Sequence, residues 1–403
     1  MIPVDEALRR IQENLPPPAT ENIDCRSAYG RVLAECLTAT SNIPPFNKSA
    51  VDGYAVRTED LVTVPVELRC AGESRAGSGR VMQAGPGEAV AIMTGAPVPD
   101  GADAVQMIEK TRRSADDSRV TILSKVRAGE NVIPEGSEAS TGKVVLESGR
   151  FVGPAEMAIL AMFGYRQILV FRRPSVALAS TGDELVEADQ TPGPGQIRNS
   201  NAPSLAAQLR QLGLDVDYLG IARDDKAEIR RVILEGLRRD VLILTGGVSV
   251  GAYDFVEEIL VEAGLEVIFS GVAVRPGKPT VFARRGDRIV FGLPGNPIST
   301  LVSFELFVRP ALGRICGVAG AGLFRIRGRL SLGARHKSER TSFLPARLSW
   351  NRDEWGIEPL PWKGSSDIVG FSRANGLLIL PQGREVIAEG EQVEALLLPD
   401  FWQ

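Results

Sequence analysis

The sequence predicts a multidomain protein of the α/β plus β class. It has an α/β/α layer around a mostly parallel sheet, a β-rich lobe and a C-terminal β domain of barrel or sandwich type. Three observations carry that prediction. Between about residues 174 and 312, strand-sized apolar runs alternate with helix-like stretches, the signature of a parallel sheet covered on both faces. From about 54 to 150, and again from about 322 onward, short alternating strands are separated by Gly/Pro turns with little helical periodicity. Finally, 403 residues exceed what a single core organises.

The elements follow in order. In "MIPVDEALRRIQENLPPP", Val4, Leu8, Ile11 and Leu15 form one helical stripe, ended by Pro16 to Pro18. Residues 20 to 40 read as a short helix and a strand. The β-rich stretch includes "VPVELRC" and "DAVQMI". The α/β layer starts with the strand "PSVALAST" and a helix from about Ala202 to Leu212. Strand "DVDYLGIA", helix "KAEIRRVILEGLRR", strand "DVLILTGG" and helix "YDFVEEILVEAG" continue it. Strands "EVIFSGV", "TVFA" and "RIVFGLPG" and the apolar helix "PISTLVSFELFVRPAL" close it.

Composition narrows the chemistry. A formal charge of −4 without a dense Lys/Arg run gives no footing for nucleic acid. No apolar stretch approaches the roughly 20 residues of a membrane span, and the N-terminus resembles no targeting peptide. A cytoplasmic location is the expectation. Cys25, Cys36, Cys70 and Cys316 lack CxxC spacing, so they are expected reduced. His336, the only histidine, lies in the polar "GARHKSER". Catalysis must therefore rest on carboxylates, hydroxyls, Lys/Arg and backbone amides.

Several strand ends carry such groups. "LTGGVSVGAYD" places Gly246, Gly247, Ser249 and Gly251 between a strand and a helix, with Asp254 after them. Such a turn either cradles an anion on its amides or simply permits close approach; alone it decides neither. Asp254 either caps the helix or holds a metal. "ASTGDELV" adds Thr181, Asp183 and Glu184 at a second strand end, and Asp224 and Asp225 follow a third. In one sheet these carboxylates would meet at one edge, as a Mg²⁺-assisted phosphate site requires. "VRPGKPT" offers Arg275 and Lys278 on a proline-stiffened turn, and "FGLPGNPIS" sets Pro294, Asn296, Pro297 and Ser299 at a helix start. In "SAVDGYAV" the flanks are apolar enough to bury Asp52, which then needs a partner. Thr94 stands at another glycine turn, and Ser365 and Ser366 precede a strand.

Taken in order, "PPFNKSAVDGYAV", "IMTGAPVPDGAD", "STGDEL", "TGGVSVGAYD", "RPGKP", "GLPGNP" and "GSS…ANGL" resemble the molybdopterin molybdenumtransferase family, which includes bacterial MoeA, the gephyrin E-domain and its plant counterpart. The resemblance spans essentially the whole chain. It implies a homodimer of four-domain subunits: residues 1–45 with 140–173, a β-rich lobe at 46–139, a MogA-like molybdopterin-binding layer at 174–318, and a β domain at 319–403. It implies insertion of molybdate into adenylylated molybdopterin with AMP release, assisted by Mg²⁺, in a cleft shared between subunits. A MogA-type adenylyltransferase and molybdoenzyme chaperones are the implied partners. Asp52, Thr94, Glu184, Asp224 and Asp254 fall on the family's catalytic positions, the last three as metal and pterin-nucleotide handlers. Arg275, Lys278 and Ser365 would hold molybdate. The chain departs from the family at Arg275 (usually Lys), Glu138 (usually Asp), Asn199 (commonly Asp) and Pro345 (often Arg, here found at Arg347). An adenylyltransferase of the MogA group and a non-enzymatic pterin-binding scaffold remain as alternatives.

Overall fold

The computed structural model describes residues 1–77, 82–247, 255–337 and 339–399. The chain forms two compact units, Met1–Ile23 with Gly30–Ala34 and Leu169–Gln403, and Asp24–Tyr29 with Glu35–Ile168.

The first unit is built on a six-stranded sheet. Its strands are β1 (Val176–Thr181), β2 (Val216–Ala222), β3 (Val241–Thr245), β4 (Glu266–Ser270), β5 (Val281–Arg285) and β6 (Arg288–Leu293), in the order β2-β1-β3-β6-β5-β4. β1 lies parallel to both β2 and β3, and β3 parallel to β6. The far side is antiparallel, because β5 returns to β6 through a two-residue Gly286-Asp287 loop with Gly286 at φ 58°.

Uniformly apolar strands signal burial on both faces, and side-chain alternation sorts the residues. Val176, Leu178, Val241, Ile243 and Phe291 pack with Leu205 and Leu209 of α1 (Asn201–Gln211). Ala177, Ala179, Leu242 and Leu244 pack with Ile229, Val232 and Ile233 of α2 (Lys226–Gly236), and with Val256, Ile259 and Leu260 of α3 (Val256–Glu262). Each fully buried Leu or Ile contributes about 1.5–3 kcal/mol. The N-terminal helix Val4–Glu13 adds Ala7 and Ile11 to the first face. The last predicted helix is α4 (Pro297–Ser303), followed by a π turn at Phe304–Val308 and a further α segment Arg309–Ile315. Glu305 in that turn is buried and bonds the Arg309 guanidinium and the Gln208 amide.

The C-terminal strands close into a five-stranded barrel. The long strand Thr341–Asn351 makes the closure by pairing with Glu354–Pro359 along one half and Gly376–Leu380 along the other. Ile326, Leu330, Leu348, Ile357 and Leu378 fill the inside. His336 is not in a polar surface setting. It is buried, its Nδ1 against the Ser342 hydroxyl at 2.8 Å and its Nε2 against the Arg384 carbonyl at 2.6 Å.

The second unit centres on a six-stranded sheet ordered Ala104–Met107, Gly53–Val56, Glu88–Ile92, Val66–Ser74, Arg119–Ile122, Thr111–Arg113. Tyr54, Val56, Leu68, Val120 and Ile122 form its core. The short helix expected within 20–40 is only a 3-10 turn, Cys25–Ser27, capped by Asp24. All four cysteines are free. Among the described residues no helix is long and apolar enough to cross a membrane.

Candidate active site

β1 has β2 on one side and β3 on the other, so the chain reverses its direction of travel across the sheet at β1. In an open α/β sheet that reversal leaves a crevice beyond the carboxyl ends of the strands. A cleft of about 670 Å³ lies there, lined by Thr181, Glu184, Asp224, Gly246, Gly247, Pro294, Asn296, Pro297 and Ser299 among others. Strand ends far apart in sequence are thereby brought together.

The floor combines close backbone approach with an unmet hydroxyl. Gly246 (φ 94°) lies so near β1 that a Cβ would fall 2.3 Å from the Thr181 carbonyl oxygen, and at Gly247 (φ 63°) one would fall 2.7 Å from Thr181 Oγ1. Only glycine fits either position. Thr181 Oγ1 is buried and has no hydrogen-bond partner among the described residues. The sequence leaves two roles open for this turn, an anion cradle or a close approach, and the Gly246 amide is free for neither ligand nor solvent. The Gly246 N–H donates to the Leu293 carbonyl at 3.1 Å, extending the ladder to β6. Gly246 therefore acts through its lack of a side chain.

The acidic rim divides its labour. Asp225 caps α2, its carboxylate accepting the Ala227 and Glu228 N–H groups at 2.9 and 3.0 Å. Asp224 instead lines the cleft beside Glu184. It accepts the Asp183 N–H at 3.4 Å, and Asp183 accepts the Asp224 N–H at 3.3 Å. Among the described residues no cation pairs with Glu184, and no group of three or more His, Cys, Asp or Glu is placed to hold a metal. Asp254, Ser249 and Gly251 lie outside the described residues.

Comparison with known proteins covers both units. Family profiles described as "MoeA N-terminal region (domain I and II)", "Probable molybdopterin binding domain" and "MoeA C-terminal region (domain IV)" match residues 2–164, 177–314 and 327–398. A molybdopterin molybdenumtransferase of Staphylococcus aureus (strain MRSA252) is 36% identical over 403 residues, covering 98% of this chain and 95% of the relative. One from Staphylococcus epidermidis is 34% identical over 401 residues, with the same coverage. The chain belongs to the molybdopterin molybdenumtransferase family. A solved molybdopterin biosynthesis MoeA protein from Pyrococcus horikosii superposes with a TM-score of 0.86 at 33% identity, covering 98% of this chain and 99% of that one. Membership in this family assigns the chain a role in molybdenum cofactor biosynthesis, and the cleft falls in its probable molybdopterin-binding segment.

Of the other described residues singled out by family resemblance, Asn199 lines the cleft and the rest do not. Pro279 lines the cleft, whereas Arg275 and Lys278 on the same turn do not. Neither cation has an ion pair among the described residues. Ser365 reaches the cleft indirectly: its carbonyl accepts the Ile298 N–H at 3.0 Å, and its hydroxyl accepts from Asn296 Nδ2 at 3.0 Å. This bond occupies one of the two Asn296 amide donors at the start of α4. Pro345 is buried in the barrel wall and Arg347 is exposed.

Asp52 and Thr94 belong to the second unit and meet there. Asp52 is exposed, not buried, yet partnered: its Oδ1 accepts the Thr94 N–H at 2.7 Å and the Thr94 hydroxyl at 2.9 Å. The backbone N–H first and the hydroxyl second hold its carboxyl below the ordinary value. Glu138 pairs with Lys48 at 3.2 Å. Asn199, commonly Asp in the family, is buried and donates to Ser180 Oγ and the Tyr218 hydroxyl at 3.0 and 2.9 Å. The residue-type reading missed Asn201 and Arg198, which also line the cleft. Both sit in the same "IRNSN" segment, where only Asn199 was weighed.

Proposed function

We propose that the chain inserts molybdate into the dithiolene of adenylylated molybdopterin and releases AMP. The observation that carries this reading is the buried Thr181 hydroxyl, without a partner among the described residues, beside Gly247 in a cleft of the probable molybdopterin-binding segment. A buried hydroxyl without a partner costs free energy unless a ligand meets it. The Gly247 amide and Thr181 hydroxyl meet the phosphate or pterin end. Glu184 and Asp224, with Asp254, take the Mg²⁺-handling role. Mg²⁺ is commonly held by one or two carboxylates together with substrate phosphates and water, so two carboxylates on the rim fit it. When bound, the ion would offset the phosphate charge as AMP leaves. Arg275, Lys278 and Ser365 hold molybdate, a dianion that calls for cations and donors. Asp52, oriented by Thr94, completes the catalytic set. The working form is a cytoplasmic homodimer with the four-domain division given above, supplied by a MogA-type adenylyltransferase.

The test is AMP release by purified protein from adenylylated molybdopterin. Release should depend on molybdate, and Lys278→Ala and Asp254→Ala should each slow it on the order of 100-fold. Intact molybdenum insertion in both variants overturns the site. Pyrophosphate release from ATP and molybdopterin, in place of AMP release, makes the chain an adenylyltransferase.

A further inference from the structure

Asn201 opens α1 and lines the cleft, but its chemistry is directed at the protein. Its Nδ2 donates twice, to Thr245 Oγ1 at 2.9 Å and to the Gly295 carbonyl at 2.7 Å. The amide orientation is determined by its partners. Reversed, the side-chain oxygen would face the Gly295 carbonyl, acceptor against acceptor. Thr245 in turn donates to the Pro294 carbonyl at 3.1 Å, and the Thr300 hydroxyl donates to the same oxygen. Thr245 and Thr300 are both buried. One side chain thus ties the start of α1, the end of β3 and the Pro294–Gly295 turn ahead of α4 into a single network.

Both Asn201 donors are committed, which leaves only a carbonyl oxygen for anything in the cleft. A carbonyl oxygen accepts and gives nothing to an anion. We propose that Asn201 is a positioning residue: it sets the spacing between the Gly246-Gly247 turn on β3 and the Pro294–Ser299 segment, the two walls between which the ligand is held. That ligand is the pterin nucleotide of the proposed function, so the consequence for catalysis rests on that reading. The clamp itself does not.

Hydrogen exchange on the ligand-free protein tests the clamp directly. Asn201→Ala should speed exchange of peptides covering 245–247 and 294–300 by roughly 10- to 100-fold, as expected for two lost hydrogen bonds. Peptides of the C-terminal barrel should be unaffected. Unchanged exchange at both turns overturns the proposal whatever the enzyme does. The second arm is a double-mutant cycle with Thr245→Val on kcat/KM for AMP release. Each single variant should fall about tenfold, and the pair by clearly less than the product of the two, because both lose the Asn201–Thr245 bond. Additive losses show that Asn201 acts independently of Thr245 and overturn the positioning role. If the wild type releases no AMP, the proposed function fails, and the exchange arm still decides the clamp.

Discussion

The two edges of the six-stranded sheet invite comparison. At the amino edge, a crevice of about 450 Å³ is lined by Pro16, Pro17, Arg172, Pro174, Asp240 and Arg288 among others. It looks as site-like as the cleft at the carboxyl edge: concave, charged and built from strand ends. Its partly buried carboxylate, however, is fully partnered, and only the exposed Asp287 is left to solvent. Asp240 takes Arg172 at 2.8 Å, Arg288, and both the N–H and hydroxyl of Ser175 at 2.8 Å. At the carboxyl edge the Thr181 hydroxyl has no partner among the described residues, and Glu184 has no cation. A cavity with charges is common in a sheet protein. Unmet bonding capacity separates a binding edge from a structural one.

Substitutions at the two edges should then have different signatures. The largest effect falls where binding and folding share an atom. Gly246→Ala sets a Cβ against the Thr181 carbonyl at a positive φ, costing about 3 kcal/mol in conformational strain and displacement. Both the denaturant midpoint and AMP release should fall. Unchanged stability would refute the close approach.

Asp240→Asn should strike stability alone, by about 2 kcal/mol, between the values for exposed and fully buried pairs. The kcat/KM of the folded protein should stay the same. Burial pushes the Asp240 carboxyl up, but the Arg172 guanidinium and the Ser175 donors outweigh it and hold it well below the usual range. A depressed carboxyl contributes stability above its unfolded value of about 3.9 and loses it as pH falls through its folded value. The gap between wild type and variant should therefore narrow progressively below about pH 4. A pH-independent gap would mean that Asp240 is not the titrating hub.

This contrast explains what the sequence could disclose. β1 and β3 were legible as buried strands because every residue is apolar or small, and Gly246-Gly247 and Asp224 marked their edge. Local pattern could not show that the Gly246 N–H is taken by Leu293, since that partner lies on a strand over 40 residues away. Nor could it separate Asp224 from Asp225, adjacent carboxylates of which one caps a helix and the other lines the cleft. Asn201 escaped notice because its importance lies in what it bridges, Thr245 and Gly295, not in its residue type. Apolar flanks suggested a buried Asp52, but it lies in the bend just before the buried strand Gly53–Val56, and Thr94 lies in the turn with Gly95, so the pair stays at the surface.

Thr181→Val and Ser175→Ala are counterparts at opposite edges, each removing one hydroxyl. At the amino edge, Ser175→Ala removes two bonds to Asp240, one donated to its carboxylate and one accepted from its N–H, and should cost about 1–2 kcal/mol, with no effect on AMP release. At the carboxyl edge, Thr181→Val removes a buried hydroxyl that lacks a partner among the described residues. Stability should hold or rise by up to about 1 kcal/mol, while affinity for the pterin nucleotide falls roughly tenfold. Thermal melts with AMP-release kinetics check both. A destabilised Thr181→Val with unchanged kinetics would show that the hydroxyl serves the fold.

Asp52 gives the smallest and sharpest case, an exposed carboxylate that is nonetheless partnered. The Thr94 N–H contributes more than the Thr94 hydroxyl to holding its carboxyl down. Thr94→Val removes the hydroxyl and keeps the N–H. The Asp52 carboxyl, followed by NMR titration, should rise part of the way toward its ordinary value and stop short of it. A full return would mean that the hydroxyl alone set the shift. By the same sign rule as for Asp240, the stability the pair contributes is present above about pH 3.9 and lost below it. In either protein Asp52 stays ionised at pH 7. Any activity that Thr94→Val loses at that pH must then come from the missing hydroxyl or from a carboxylate no longer aimed, not from a change in the charge of Asp52.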